Sequence, residues 1–534
     1  MSMLDAGVHI TDAGEEAIGS FDVPKIQALV SSKTGGIHDV SEQQKRDVLS
    51  ALTDARPTLK DAYKKLTVAQ TTLDGISDSQ VFPLLRPTKR DIDTQLHDAT
   101  KILGGSLPLI DMLPELLGFP KERTYLLLFQ NNAETRATGG FIGNYGILTL
   151  KNGEIKTFKV DNIYNIDDKG KRIVVRPPQP FAKYFKTDRW YLRDSNWSPD
   201  FPESADKAAW FYQREGGKEK IDGVISTTPE VITSLMRFTG PIRIDDVTFT
   251  ADNFVTELQI EVEKAYVAKG IPERQRKDVI GQIGEEMKRR LFSMPKGQLF
   301  DVANALKLLA EEKHIMVYMT VPTEEAIITK LGWAGEIRPA DGDSLMVVDS
   351  NMAALKTDLV MDKNINYSVR EDKDGSLHAT VELRYTNNGT FTWYTTRYRD
   401  WVRVYVPQGS VLDKYDGFMV KELSQEKGKV DVAQEHGKTV FAGYLIVEPK
   451  QTKLVRLEYT LPSRIVDQIR KDNTYRLRVQ KQSGISNQKL KASFSFKNPI
   501  QIYEPVGFFN SKTGIRSAEF SSDLRVDRDF SIYF

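Results

Sequence analysis

The segment from Thr124 to Asn162, TYLLLFQNNAETRATGGFIGNYGILTLKNGEIKTFKVDN, constrains the fold more than any other stretch. Tyr125 to Phe129 form an unbroken apolar run that reads as a buried strand. The run stops at a polar turn crowded with Gln130, Asn131, Asn132, Glu134 and Arg136. Gly139, Gly140, Gly143 and Gly146 follow, and then a hairpin of 147–150 with 154–160, for which Asn152-Gly153 supplies the turn. A strand that carries a polar loop to the rim of a sheet is a common way to build a binding site.

Helices surround this segment. Residues 41 to 75 carry leucines at 52, 59, 66 and 73, with alanines at 55, 62 and 69 three residues after the first three. That heptad seam demands a partner helix. Ser41 with Gln44 gives a capping box, and Pro57 predicts a kink or restart. A second stretch with Ile92, Leu96, Ala99 and Leu103 is the expected partner, in an antiparallel hairpin that is either a stalk or a plain supporting layer. Residues 161 to 202 read as mostly irregular, with Pro177, Pro178 and Pro180 in the middle, and so as a functional loop.

Helix and strand then alternate to Val348: helices over 203–215, from Pro229, and over 252–268, 272–292, 298–312 and 323–331. Strands are expected at 221–226, 314–319 and 344–348, which implies a sheet covered by helices. From about 350 the texture becomes period-two alternation, with strands at 364–370, 377–386, 401–406, 438–447, 452–460, 474–480, 490–496 and 525–533, the pattern of an all-β sandwich. The predicted fold is therefore multidomain α+β. It has a helical hairpin over 1–118, an α/β domain over 119–349 and a β-sandwich over 350–534.

Composition removes several function classes. The 534 residues hold 74 basic and 73 acidic side chains, so nothing marks a nucleic-acid partner. The absence of cysteine excludes disulfides, thiolate catalysis and cysteine-ligated metals. The six histidines are scattered without metal-ligand spacing. No apolar stretch approaches the length of a membrane span, and a chain cut behind an anchor helix would read the same way. No serine-nucleophile motif occurs, and no histidine stands near a candidate nucleophile.

The glycines match neither a Walker loop nor a dinucleotide fingerprint, and a strand follows them where a phosphate loop needs a helix. Close strand approach is the simpler reading. Arg136, among amides past the end of a buried strand, fits either a bidentate grip on phosphate or an internal salt bridge to Glu134, Asp161 or Asp194. Arg193-Asp194-Ser195-Asn196-Trp197 joins a cation, a carboxylate, an amide and an aromatic ring. There Asp194 is a candidate ligand for a divalent metal such as Mg on a phosphate, and Trp197 reads more readily as a packing plug. In 272–292, Ile280, Ile283 and Met287 share a face; four residues before Ile280 stands Arg276, flanked by Arg274 and Lys277, and thus expected on the inward side.

The motifs NNAETRATGGFIGNYG, DSNWSPDFP, IDGVISTTPEVITSLMRFTGPI and DSNMAALKTDL resemble the bacterial family known as domain of unknown function 4012, over residues 40 to about 534. That resemblance implies an envelope protein with an N-terminal membrane anchor, extracytoplasmic and without settled activity. The order of elements is also similar to the LytR-CpsA-Psr family, which transfers glycopolymers from a polyprenyl pyrophosphate carrier to the cell wall. That likeness implies catalytic roles for Arg136 and Arg276. It implies ligand-binding roles for Asp161 and Arg274, to which the residue reading above adds Asn132, Arg193, Asp194 and Asn196 as ligand-binding candidates, with the metal at Asp194. The chain departs from the pattern where Ala137-Thr138-Gly139 follows the first arginine, in place of an aspartate, and where no arginine precedes Asp161. The expected partner is a lipid-linked glycan or cell-wall polymer. The alternative is a non-enzymatic surface structural or adhesion protein with a vestigial pocket. Arg136, Arg193 and Arg276 are expected to converge, with Asp161 or Asp194 close by.

Overall fold

The computed structural model describes residues 41–421, 426–505 and 512–534. Expectations for residues 1–40, within the 1–118 unit, lie outside them.

Helices α1 (Glu42–Asp74) and α2 (Arg86–Leu116) form the hairpin. The capping box is present: Gln44 N–H donates to Ser41 Oγ and Ser41 N–H to Gln44 Oε1. α1 passes through Pro57 as one helix, so the expected restart is absent. The ion pairs Arg56–Glu115 and Lys60–Asp111, and the Gln70–His97 contact, descend along α2 as they climb α1, which makes the pair antiparallel. Ala55 and Leu59 bury against Leu107, and Ala69 and Leu73 against Leu96. The Tyr63 ring lies over Gly104, where a Cβ would come within 2.6 Å of it.

The α/β domain is built on β1 (Arg123–Asn131), β2 (Phe141–Lys151), β3 (Glu154–Asn162), β4 (Gly223–Thr227) and, after the small hairpin β5 (Ile242–Ile244) and β6 (Val247–Phe249), β7 (Ile315–Met319). The sheet order is β3-β2-β1-β4-β7, with only the β1–β4 pair parallel. The apolar run in β1 serves two faces. Leu126 and Leu128 enter a core with Ala205, Ala208 and Phe211 of α3 (Phe201–Arg214). Tyr125 and Leu127 face Met112 of α2 and Ile328. A strand covered on both sides cannot alternate, hence the continuous run. The end of α2 is therefore a layer of this domain as well as an arm of the hairpin. A third cluster joins α4 (Pro229–Thr239), α5 (Phe254–Ile260) and α6 (Asp278–Phe292) around Leu235, Phe254, Ile283 and Met287. Among the described residues no helix is long and apolar enough to cross a membrane.

The C-terminal part is a pair of seven-stranded sheets enclosing one core, with Ile365, Tyr367, Val381, Leu383, Val404, Leu445, Leu457 and Leu477 inside. Two points correct the sequence reading. Strand β8 (Asp343–Val348), expected in the α/β domain, lies in the middle of a sandwich sheet. It runs antiparallel to Tyr398–Pro407 and parallel to Thr474–Gln480. The sandwich therefore begins at Asp343, ahead of residue 350. Leu345 and Val347 point into the sandwich core, while Met346 and Val348 pack with Ala137 and Ile337. Covered on both faces, β8 reads as an α/β strand. In addition, 161–202 is less irregular than expected, since Ile163–Lys169 and Gln179–Phe185 are helices.

Candidate functional site

At the C-terminal end of β1 the chain turns through residues 132–140 under close backbone contact. A Cβ on Gly140 would stand 2.2 Å from the Asn131 carbonyl carbon, and one on Gly484 would stand 2.5 Å from Gly139 Cα. Close approach is thus what these glycines provide. Replacing Gly140 by alanine should cost about 1–3 kcal/mol in overpacking; the check is the first thermal transition of the variant, which should fall. An unchanged transition would show that the turn has room to move.

Buried Gln130 organises the turn. Its Nε2 donates to Ser226 Oγ (2.7 Å), and its Oε1 accepts from Gly140 N–H (3.0 Å), Thr138 Oγ1 (3.2 Å) and Asn196 Nδ2 (2.8 Å). The sandwich holds the same turn from outside. Thr135 N–H donates to Asp358 Oδ2 (3.1 Å), Asn351 N–H to Thr135 O (2.9 Å) and Gln482 Nε2 to Arg136 O (3.1 Å).

Between this turn, α4 to α6 and the helix Gln179–Phe185 lies a cavity of about 450 Å³. Arg136, Arg189, Arg193, Arg276, Lys277 and Lys356 line it, against three carboxylates, Glu134, Asp194 and Glu263. The rest of the wall is largely apolar, with Phe129, Phe141, Phe181, Phe185, Ile232, Phe254, Val255, Leu258, Val262 and Ile280. The cavity thus joins a cationic wall to an apolar chamber.

Each cation is held differently. Arg193 donates to Asp167 (2.7 Å) and reaches Asp194 (3.3 Å), with its guanidinium over Tyr191. Arg276 pairs with Glu263 and donates to Val262 O. Lys356 bridges Glu134 (3.1 Å) and Glu263 (3.4 Å). Buried Lys277 donates to Gly143 O (2.8 Å); burial, with Arg276 beside it, pulls its ammonium down to about 8. Arg136 is 6 % exposed and has no ion-pair partner among the described residues. Its Nη1 donates to Thr135 O (3.2 Å) and Asn351 O (2.9 Å), its guanidinium lies between Phe141 and Phe185, and its buried Nε has no partner.

The three arginines named from the sequence, Arg136, Arg193 and Arg276, therefore share one cavity, with Asp194 on its wall. The other expected residues are placed elsewhere. Asp161 is outside the wall and accepts from Asn162 N–H, Asn165 Nδ2 and Tyr145 Oη, closing the turn into Ile163–Lys169. Asn132 faces the sandwich and donates to Glu230 (2.7 Å) and Gly484 O (2.9 Å). Asn196 supports the turn through Gln130 and Gly140 O. The side chain of Arg274 lies outside the described residues. Trp197 packs under the guanidinium of Arg403 at the sandwich seam. The helix phase at Arg276 also shifts. Glu273–Gln275 is a 3-10 turn and α6 starts at Asp278, so Lys277 is the more deeply buried cation.

The donor set does not suit a divalent metal at Asp194. Its carboxyl is raised by burial, with Arg136 and then Arg193 opposing and Glu134 adding to the rise, so cations outnumber the one carboxylate that faces it. Among the described residues no three His, Cys, Asp or Glu side chains gather as a metal site. One constellation went unseen in sequence: His314 stands 3.2 Å from Ser486 Oγ and 2.9 Å from Thr228 Oγ1, at the seam with the sandwich. Burial holds this imidazole down at about 4, neutral at ordinary pH.

Residues 121–262 match the model of a family described as Protein of unknown function (DUF4012). No curated protein matches the chain. Among solved structures, a candidate nutrient binding protein of Legionella pneumophila is 9% identical, over 36% of this chain and 72% of that one, with a TM-score of 0.24. An M1 zinc metallopeptidase of Deinococcus radiodurans is 11% identical, over 32% of this chain and 42% of that one, with a TM-score of 0.17. The chain thus spans less than half of that peptidase. Neither likeness carries an argument about fold or function, and none of these findings shows a LytR-CpsA-Psr fold.

Proposed function

We propose that the cavity binds a phosphorylated amphiphile, with the phosphate on the arginine wall and an apolar chain in the chamber. The observation that carries this is the balance of the wall: six cations face three carboxylates, and Arg136, a buried guanidinium beside two rings, makes no contact-distance ion pair among the described residues and shares the field of Asp194 with Arg193. Desolvated cations need a counter-charge, and a bound phosphate supplies one. A lipid-linked glycan carried on polyprenyl pyrophosphate in the cell envelope has this chemistry, and the motif resemblances point to the same class. The reading is one of binding; no transfer step is assigned to these residues.

Calorimetric titration with inorganic pyrophosphate and with geranyl pyrophosphate tests it. Both should bind, and the prenyl ligand should bind at least about tenfold tighter, because its chain leaves water. If neither binds, the reading fails.

A pH series adds a second check. Lys277 titrates near 8, so it is a cation at pH 7 and mostly neutral at pH 9.5. Pyrophosphate affinity should therefore fall as pH rises through 8. The ligand titrates as well, so the comparison is with Lys277→Met, whose pH dependence should be flatter. Parallel curves for the two proteins would remove Lys277 from the site.

A further inference from the structure

Large apolar side chains stand exposed on two segments that also supply the cavity wall. On the first side Leu355 and Leu359 flank Lys356, and Phe391 and Trp393 stand on the neighbouring loop. Lys356 N–H to Tyr394 O (2.9 Å) and Asn388 N–H to Val360 O (2.9 Å) stitch these loops together. On the second side Val262 and Glu263 line the cavity, while Val267 lies exposed a turn further along the same helical segment. Lys264 joins the two sides, with its ammonium 4.4 Å from the Trp393 ring centre. Phe391 is 61% exposed and Val267 68%, and with Leu355, Leu359 and Trp393 they form a group and not single scattered residues.

Basic groups lie against the rings of this patch, while the nearby carboxylates of Glu448 and Asp362 are engaged by Arg397 and Asn388. Lys264 is exposed beside Trp393, the Arg397 guanidinium lies 5.5 Å from the Phe391 ring centre, and Arg399 braces Ala353 O. Arg397 also pairs with Glu448. Tryptophan, phenylalanine and aliphatic side chains interleaved with lysine and arginine suit the interface of an anionic bilayer, where rings enter the headgroup layer and cations meet lipid phosphate. We infer that this patch docks the protein on an anionic membrane surface, with the cavity wall directly behind it.

The inference rests on the proposed ligand class only in giving the docking a purpose, and its test is independent of that ligand. Vesicles of phosphatidylcholine with phosphatidylglycerol, and of phosphatidylcholine alone, contain no prenyl phosphate. The full chain should co-sediment with the anionic vesicles and much less with the neutral ones, and added salt should release it. The double variant Phe391→Ser/Trp393→Ser should bind the anionic vesicles at least about tenfold more weakly, and Lys264→Glu should show a smaller loss. Unchanged pyrophosphate binding by the double variant would show that it is folded. No co-sedimentation of the wild type overturns the inference, as does equal binding by the double variant. A concentration-dependent dimer that the double variant abolishes also overturns it, by assigning the patch to a second copy. Vesicle binding without pyrophosphate binding would leave the membrane surface standing and remove the cavity ligand.

Discussion

Arg136→Ala should weaken pyrophosphate binding by about 10- to 150-fold, the equivalent of about 1.5–3 kcal/mol for charge-assisted hydrogen bonds. The wild-type guanidinium is positioned before any ligand arrives. Thr135 O and Asn351 O fix Nη1, and the guanidinium carbon lies 5.7 Å from the Phe141 ring centre and 5.3 Å from that of Phe185. Arg193 and Arg276 are paired at contact distance with Asp167 and Glu263, which compete with an incoming phosphate, whereas Arg136 makes no such contact among the described residues and feels Asp194 only at longer range. The loss from Arg136→Ala should therefore exceed that from Arg276→Ala. Arg136→Lys should fall between wild type and alanine, because a point charge keeps the attraction and loses the planar fork. Equal affinities across wild type and Arg136→Ala, read by calorimetry, would refute the site.

Lys363→Met should be the most destabilising single change. Lys363 is buried, 3.0 Å from Asp349 and 2.9 Å from Asp358, with Tyr398 Oη at 2.9 Å. Asp400, also buried, is pushed well up by burial and by Asp349. Without the ammonium, two carboxylates stay buried without a counter-charge, a loss of about 3–5 kcal/mol. Asp358 also receives the Thr135 and Asn351 hydrogen bonds that fix the turn carrying Arg136, so ligand affinity should fall as well. The pH dependence has a definite sign. Burial opposes ionisation of Asp358, but Lys363 and the hydrogen bonds from Asn351 and Thr135 outweigh it and hold the carboxyl below its usual value. Such a group stabilises above the ordinary aspartate pKa, near 4, and that stability is lost as pH falls through the lower folded value. The gap between wild type and Lys363→Met should therefore be widest near neutral pH and narrow in acid. Denaturation midpoints measured from pH 3 to 7 would show this, and a constant gap would count against the network.

Elements with one buried face were legible in the sequence, as were runs buried on both. The leucine and alanine seam of α1, the apolar run of β1 and the alternation in Leu377–Asn387 each record their own packing. Edge strands were not, because Val411–Asp416 and Asp431–Glu435 are exposed almost throughout and leave no period to read. β8 was assigned to the wrong neighbour because a strand with two dry faces does not say which neighbour provides each. For the site, an arginine past the end of a buried strand was enough to single out Arg136. The 3-10 turn ahead of α6 broke the periodicity used for Arg276 and hid the deeper burial of Lys277. Lys356 was invisible as a wall residue, since its partner Glu134 comes from the first strand–turn unit and no local pattern links the two. Asn132 and Asp161 have polar side chains suited to a ligand, yet the chain uses them to secure its own turns.

The central place of β8 has a consequence for synthesis from the N-terminus. The α/β sheet is complete once Met319 has emerged, whereas β8 follows it with neither of its neighbours made. Its antiparallel neighbour is complete at Pro407 but its parallel neighbour begins only at Thr474, so a strand buried along its whole length waits with one edge open until late in translation. Nascent chains halted before Thr474 should be the species most prone to aggregate and to hold chaperones, and chains extended through Phe534 should not; crosslinking of stalled ribosomes at the two lengths would distinguish them. The strand that ties the finished sandwich to the α/β domain leaves the growing chain with an unprotected interval.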